Sequence, residues 1–324
     1  MATARKKTRE RFGIAEWYGR SFVGLSPTER QAYAQELLRD GGRSLQPCPF
    51  KPSGGSCSKP SGICSIRPYI ETTEADGQRV VTAVLGDAGR PRATCPNRFH
   101  EGKLAYQRAG EILLENPAPT LVPEVGFLEP IAASGKAKKR DVGRIDLVLM
   151  NPADQTGRVE WGALEIQAVY FSGKGMLDDF TDMAGGASPG LPFPQHPRRP
   201  DYRSSGPKRL LPQLQTKVPT LSRWGKRMAV VVDEYFFDAL DPMTYVDDLS
   251  SADIAWVVVK FEDTGTGNFQ LTPSQTYFTT LPEAVAGLTG GRPSTEAKFL
   301  QKLLEKAARN APLDLDTSDE SGSE

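Results

Sequence analysis

At 324 residues the chain can bury one large core or two modest ones, and one catalytic domain with a small appendage is expected. With 38% hydrophobic and 25% charged residues and no apolar run near the roughly 18 residues of a membrane span, a bilayer-crossing protein is excluded and a soluble globular one expected. The zero net charge hides an asymmetry: the last eleven residues carry Asp314, Asp316, Asp319, Glu320 and Glu324 with no base, which leaves 40 bases against 35 acids elsewhere.

The basic start, Met1 to Glu10, is followed by neither an apolar core nor a small-residue cleavage site, so a reducing cytoplasmic compartment is expected. Residues 1–44 read as an N-terminal helical arm. Ser26-Pro27-Thr28-Glu29 supplies an N-cap, a first-turn proline and a glutamate that reaches back to the cap amide, and Gly41-Gly42 stops the helix.

Residues 45–99 are rich in Gly, Pro and Ser, with one plausible hairpin near Arg79 to Leu85, and hold all four cysteines: Cys48, Cys57, Cys64 and Cys95. So little apolar surface leaves a bound metal as the expected ordering agent. The spacing, x8, x6 and x30, departs from the close pairs of common zinc knuckles and does not by itself name a metal. Disulfides lack an oxidising context, and independent buried thiols do not account for the confinement of all four to one segment. A structural tetrathiolate site is expected, for which sulfur ligation admits zinc or iron.

A domain over residues 100–310 follows. A helix is expected from Glu101 to Glu115, then strands over Thr120 to Leu128, Gly143 to Met150 and Val159 to Phe171, with a polar turn at Asn151 to Gly157. Leu191 to Pro207 reads as a long basic loop and Lys208 to Trp224 as helical apart from Pro212 and Pro219. Arg227 to Phe237 and Ile254 to Phe261 have the valine-rich texture of a buried sheet centre. Ser294 to Arg309 is an amphipathic helix, and residues 311–324 form a disordered acidic tail.

Strand alternation puts Glu165 and Gln167 on one face, and Asp146 on the neighbouring strand can face them. Both strands are otherwise apolar, so these carboxylates need a partner. Mg²⁺ held by two carboxylates would neutralise a phosphate and deprotonate water, with the carbonyl of Ile166 as a further oxygen and Glu124 holding water or a second metal. This is the outline of a nuclease centre with Gln in the place where Lys is usual. Nine Lys or Arg residues against Asp201 alone between Leu191 and Arg227, and the cluster Lys136, Lys138, Lys139 and Arg140, favour a phosphate-bearing partner.

Cys48-Pro49-Phe50, Ser58-Lys59-Pro60-Ser61-Gly62-Ile63-Cys64-Ser65 and Cys95-Pro96-Asn97-Arg98-Phe99, followed by Glu124, Asp146, Glu165 and Gln167, resemble the NotI-type restriction endonucleases over roughly residues 25 to 265. The resemblance implies an α/β PD-(D/E)XK restriction-endonuclease-like core, with a mixed central sheet flanked by helices, joined to a four-cysteine metal knuckle. It further implies iron on Cys48, Cys57, Cys64 and Cys95, Mg²⁺ on Asp146 and Glu165, Gln167 orienting water or phosphate, and Glu124 as an accessory acid. A homodimer cutting a GC-rich palindrome in double-stranded DNA is implied, along with a cognate DNA methyltransferase.

For DNA contacts, Arg198, Arg199, Arg203, Lys208 and Arg209 are candidates for bases or phosphates, and Arg144 for the scissile strand. Water attack on the phosphodiester would leave a 5′-phosphate. Two rivals stand beside this type II nuclease: a DNA-binding protein with a decayed site, and a structure-specific repair or transposition nuclease of the same fold.

Overall fold

The computed structural model describes residues 7–39, 46–51, 54–128, 142–186, 189–265, 267–290 and 294–309. The Gly41-Gly42 stop, the basic cluster at Lys136 to Arg140 and the tail 311–324 lie outside the described residues.

The chain begins with strands β1 (Lys7–Trp17) and β2 (Arg20–Ser21), helix α1 (Pro27–Arg39), and strands β3 (Ile63–Thr73), β4 (Arg79–Ala83) and β5 (Arg92–Ala93). These strands make one antiparallel sheet in the order β2-β1-β3-β4, with β5 also on β3. The capping box of α1 forms as expected: the Ser26 amide donates to Glu29 Oε2 at 2.8 Å and the Glu29 amide donates to Ser26 Oγ at 3.2 Å.

Two expectations change here. The first segment is a strand hairpin leading into a helix, not a helical arm, because β1 finds a long partner in β3. Its first residues, Lys7-Thr8-Arg9-Glu10-Arg11, are polar on both faces, so no alternation betrays them. The cysteine segment also has more apolar anchorage than its composition suggests. Ile63, Ile66 and Tyr69 of β3 join Trp17, Leu25, Leu37 and Phe180 in a core of their own.

Helix α2 (Leu104–Leu114) leads into β6 (Thr120–Leu128), β7 (Val142–Met150) and β8 (Trp161–Ile166). The ribbon strands β9 (Tyr170–Gly173) and β10 (Arg198–Asp201) flank α3 (Leu177–Gly185), and α4 (Tyr202–Ser205) and α5 (Leu211–Arg223) follow. Next come β11 (Met228–Asp233), α6 (Glu234–Asp238), β12 (Ile254–Asp263), β13 (Phe269–Thr279), α7 (Leu281–Thr289) and α8 (Glu296–Arg309). The second sheet runs β13-β12-β11-β8-β7-β6 and is mixed: β8, β11 and β12 are parallel, whereas β6, β7 and β13 pair antiparallel.

Helices cover both faces of this sheet, as expected. Leu214, Val218 and Leu221 of α5 pack with Ala163, Val230 and Val232 on one face, and Ala105, Tyr106 and Ala109 of α2 pack with Leu164, Val231 and Val257 on the other. Burial on both sides explains the continuous apolar runs of β11 and β12. Pro219 sits inside α5 without ending it.

Three segments depart from the expected elements. The strand expected over Val159 to Phe171 divides after Ile166, where the Val169 amide turns to donate to the Ala93 carbonyl of β5. The basic stretch Leu191 to Pro207 contains β10 and α4 and so is not wholly a loop. β11 stops at Asp233, whose carboxylate caps α6 by accepting from Phe236 N and also accepts from Ala93 N, each at 2.8 Å.

Asp233 thereby joins the two sheets, and its enclosure pushes its acid group up to about 6 against the opposing pull of those two amides. A carboxyl whose folded value exceeds its unfolded one contributes stability that is complete below the unfolded value and lost as pH rises through the folded one. The difference in unfolding free energy between the native chain and Asp233→Asn should therefore fall between pH about 4 and 6. Denaturant titrations across that range check it, and a flat difference refutes it.

Candidate active site

β7 and β8 are antiparallel neighbours in a register that sets Leu147 opposite Leu164, and one step further brings Asp146 to Glu165. Their carboxyl groups lie within hydrogen-bonding reach of each other. Asp146 is exposed at the sheet margin, whereas Glu165 is buried, 1% exposed, on the face covered by α5.

Glu165 Oε2 accepts from Lys217 Nζ of α5 at 2.5 Å, and Glu165 Oε1 is buried with no hydrogen-bond partner among the described residues. Burial and the neighbouring Asp146 carboxylate outweigh the Lys217 ammonium and push the Glu165 acid group up to about 8. Two carboxyls in contact, one with an orphaned oxygen, call for a shared proton or a shared cation. The oxygen-only donor set suits a hard divalent ion such as Mg²⁺.

The other sequence candidates distribute unevenly. Gln167 follows β8, is buried, and donates from Nε2 to the Ala168 carbonyl at 2.6 Å. Glu124 lies in the same row across β6, since Pro123 faces Leu147 and Val125 faces Ile145, but its φ of +52° interrupts the ladder. Its exposed carboxylate accepts from Arg144 at 2.8 Å. Among the described residues no three His, Cys, Asp or Glu side chains are grouped to hold a metal, so Glu124 does not converge with Asp146 and Glu165.

A cleft of about 780 Å³ opens between the cysteine segment and the end of β8, with Lys59, Asn97, Ile166, Gln167, Arg209 and Gln213 in its wall. Arg199, Arg203, Lys208 and Arg209 are exposed, and Arg209 lies over the Tyr170 ring at 3.5 Å from its centre. Arg198 departs from the DNA-facing expectation. Its guanidinium is buried and donates to Asp179 and to the carbonyls of Lys174 and Gly175.

The four cysteines are free thiols drawn from two places. Cys48 and Cys57 flank the Pro47–Ser56 bridge, and Cys64 on β3 accepts through its carbonyl from the amides of Thr94 and Cys95. Burial pushes the thiols of Cys57 and Cys64 up, and neighbouring cysteines add to the effect. Lys59, which donates to the Thr94 carbonyl at 2.6 Å, is half-buried beside Cys95, Cys64 and Cys57. These four sulfurs are not grouped as a ligand set either.

Lys217 is the residue that pattern reading missed. The signal was available: Leu214, Val218 and Leu221 mark one apolar helical face, and Lys217 lies on it. The histidines are not part of the site. Burial holds His100 down to about 4, and His196 bonds Asp178 at 2.6 Å.

No described helix is long and apolar enough to cross a membrane. Among curated proteins none matches the chain. The profile of a family described as restriction endonuclease NotI matches residues 33–271, a span that contains all four cysteines, the carboxylate pair and Lys217.

Proposed function

The chain belongs to the NotI restriction endonuclease family, and on that premise we propose that it is a type II site-specific deoxyribonuclease with a PD-(D/E)XK core and its reacting centre at Asp146 and Glu165. The observation that carries this reading is the contact between those two carboxyls at facing positions of β7 and β8, with Glu165 Oε1 left without a donor among the described residues.

Asp146, Glu165 and the Ile166 carbonyl are the oxygens that would hold Mg²⁺, which when bound supplies charge neutralisation at the phosphate and an acidified water. The chain's own groups do the rest. Gln167, at the cleft wall beside Ile166, would orient water or a phosphate oxygen with the part of its amide not given to the Ala168 carbonyl. Glu124 is an accessory acid that keeps Arg144 near the sheet margin, where the guanidinium meets the scissile strand. Water oxygen bonds to phosphorus, the bond to the 3′ oxygen breaks, and the products carry a 3′-hydroxyl and a 5′-phosphate.

Arg199, Arg203, Lys208 and Arg209 supply an exposed basic surface for double-stranded DNA. A palindromic, GC-rich target would be met by a two-fold homodimer, each copy cutting one strand. Such a system belongs in the cytoplasm with a methyltransferase that protects the host's own sites.

Incubation of the purified chain with unmethylated phage DNA and Mg²⁺ tests the proposal. Discrete fragments with one common end sequence are expected, and intact DNA or a smear would reject it. For the cysteine segment, residues 45–99, the proposal adds iron, with zinc as the alternative, held by Cys48, Cys57, Cys64 and Cys95. It is supported by four free thiols confined to one segment, where burial pushes those of Cys57 and Cys64 up and so disfavours their bare thiolates. Metal analysis should find about one iron or zinc per chain, reduced by Cys64→Ser; a metal-free native protein refutes the site.

A further inference from the structure

The lysine that the strand lacks is supplied, on this geometry, by a helix. We propose that Lys217 on α5 is the positioning residue of the cleavage centre, holding Glu165 oriented and charge-balanced in place of the lysine that Gln167 replaces. The inference rests on the nuclease reading of Asp146 and Glu165.

Lys217 Nζ donates to Glu165 Oε2 at 2.5 Å and to Gln213 Oε1 at 2.7 Å, and the Lys217 and Glu165 side chains are 4% and 1% exposed. The helix gives no structural reason for a charge here, since Leu214, Val218 and Leu221 on the same face are core residues and an apolar side chain would continue the stripe. Enclosing an ammonium and a carboxylate is unfavourable unless their geometry is good, and apolar replacements of such pairs are often as stable. An enclosed ion pair in such a place points to chemistry.

The division of the Glu165 oxygens says which chemistry. Lys217 occupies Oε2 and so fixes the carboxyl plane, while Oε1 stays without a donor among the described residues and Asp146 lies beside the same carboxyl. The lysine thus keeps one oxygen available to a cation. Gln213, one turn earlier on α5, fixes the ammonium and lines the cleft beside Gln167, which places the helix-borne charge next to the position from which the strand lysine is missing. A charge at this place needs no particular backbone beneath it, so either element can carry it.

The test is a swap. Native chain, Lys217→Met, Gln167→Lys and the double variant Gln167→Lys/Lys217→Met are compared for single-turnover cleavage at saturating Mg²⁺ and for DNA affinity by fluorescence anisotropy in Ca²⁺. Lys217→Met should cleave about 100-fold more slowly with DNA affinity within about threefold of native, and adding Gln167→Lys should recover at least about tenfold. A helix merely weakened by losing its lysine would not be repaired from β8.

Lys217→Gln serves in the same series if the methionine variant folds poorly. A loss below tenfold, or a larger loss that Gln167→Lys leaves unrepaired while DNA binding holds, overturns the assignment of Lys217 and leaves the nuclease reading intact. A native chain that leaves all DNA uncut overturns that reading and the assignment together.

Discussion

Asp146→Ala and Glu165→Ala should each slow cleavage by about 1,000-fold or more at saturating Mg²⁺, a loss of about 4 kcal/mol of transition-state stabilisation, while the same DNA is still bound in Ca²⁺. Either substitution removes half of a two-carboxylate donor set, and no third carboxylate converges to replace it among the described residues. Glu124→Ala provides the contrast. Its side chain is exposed and turned to Arg144, so its removal should cost no more than about tenfold. Single-turnover rates on a substrate containing the cut site decide this, and native-like cleavage by either Asp146→Ala or Glu165→Ala would remove the proposed centre.

The two substitutions should also part company in stability. Glu165→Ala leaves the Lys217 ammonium enclosed without its counter-charge, whereas Asp146 is exposed and its loss relieves Glu165 of a like charge. Glu165→Ala should therefore unfold at lower denaturant than Asp146→Ala. Equal midpoints would mean that Lys217 finds another partner.

The largest expected stability loss lies elsewhere, at Arg98. Its fully buried guanidinium donates to both oxygens of Glu16, at 3.1 and 2.9 Å, and to the Phe269 carbonyl at 3.0 Å, while Ser65 donates to Glu16 at 2.5 Å. This one side chain ties β1 and β3 of the first sheet to β13 of the second. Arg98→Ala strands the Glu16 carboxylate and should cost about 3–5 kcal/mol, or on the order of 10 °C in melting temperature. Arg98→Met combined with Glu16→Gln should lose less than the two single changes added together, because the buried Glu16 charge goes with its partner and only the part-exposed Glu101 loses an ion pair. Chemical denaturation of the four proteins measures that coupling, and additive losses would show that the pair is not the link.

Much of the second sheet was legible. The bounds of β6 coincide with Thr120 to Leu128, and β7 and β12 lie within two residues of expectation. Buried strands and amphipathic helices write their environment into hydrophobic period, and the α1 start is a local hydrogen-bond pattern. Elements that depend on a distant partner were not legible. β1 becomes a strand because β3 is there, β8 ends where β5 captures the Val169 amide, and the basic stretch gains β10 by pairing with β9.

The site divides in the same way. Alternation and spacing sufficed to put Asp146 opposite Glu165, and the order of cysteines and carboxylates sufficed for the family, because both are properties of neighbours along the chain. Only the tertiary structure decided that Lys217 meets Glu165, that Arg198 is consumed by Asp179, and that Glu124 turns to Arg144. Those outcomes depend on which faces of a helix, a ribbon and a bent strand come together, and the desolvation of a charge depends on what encloses it.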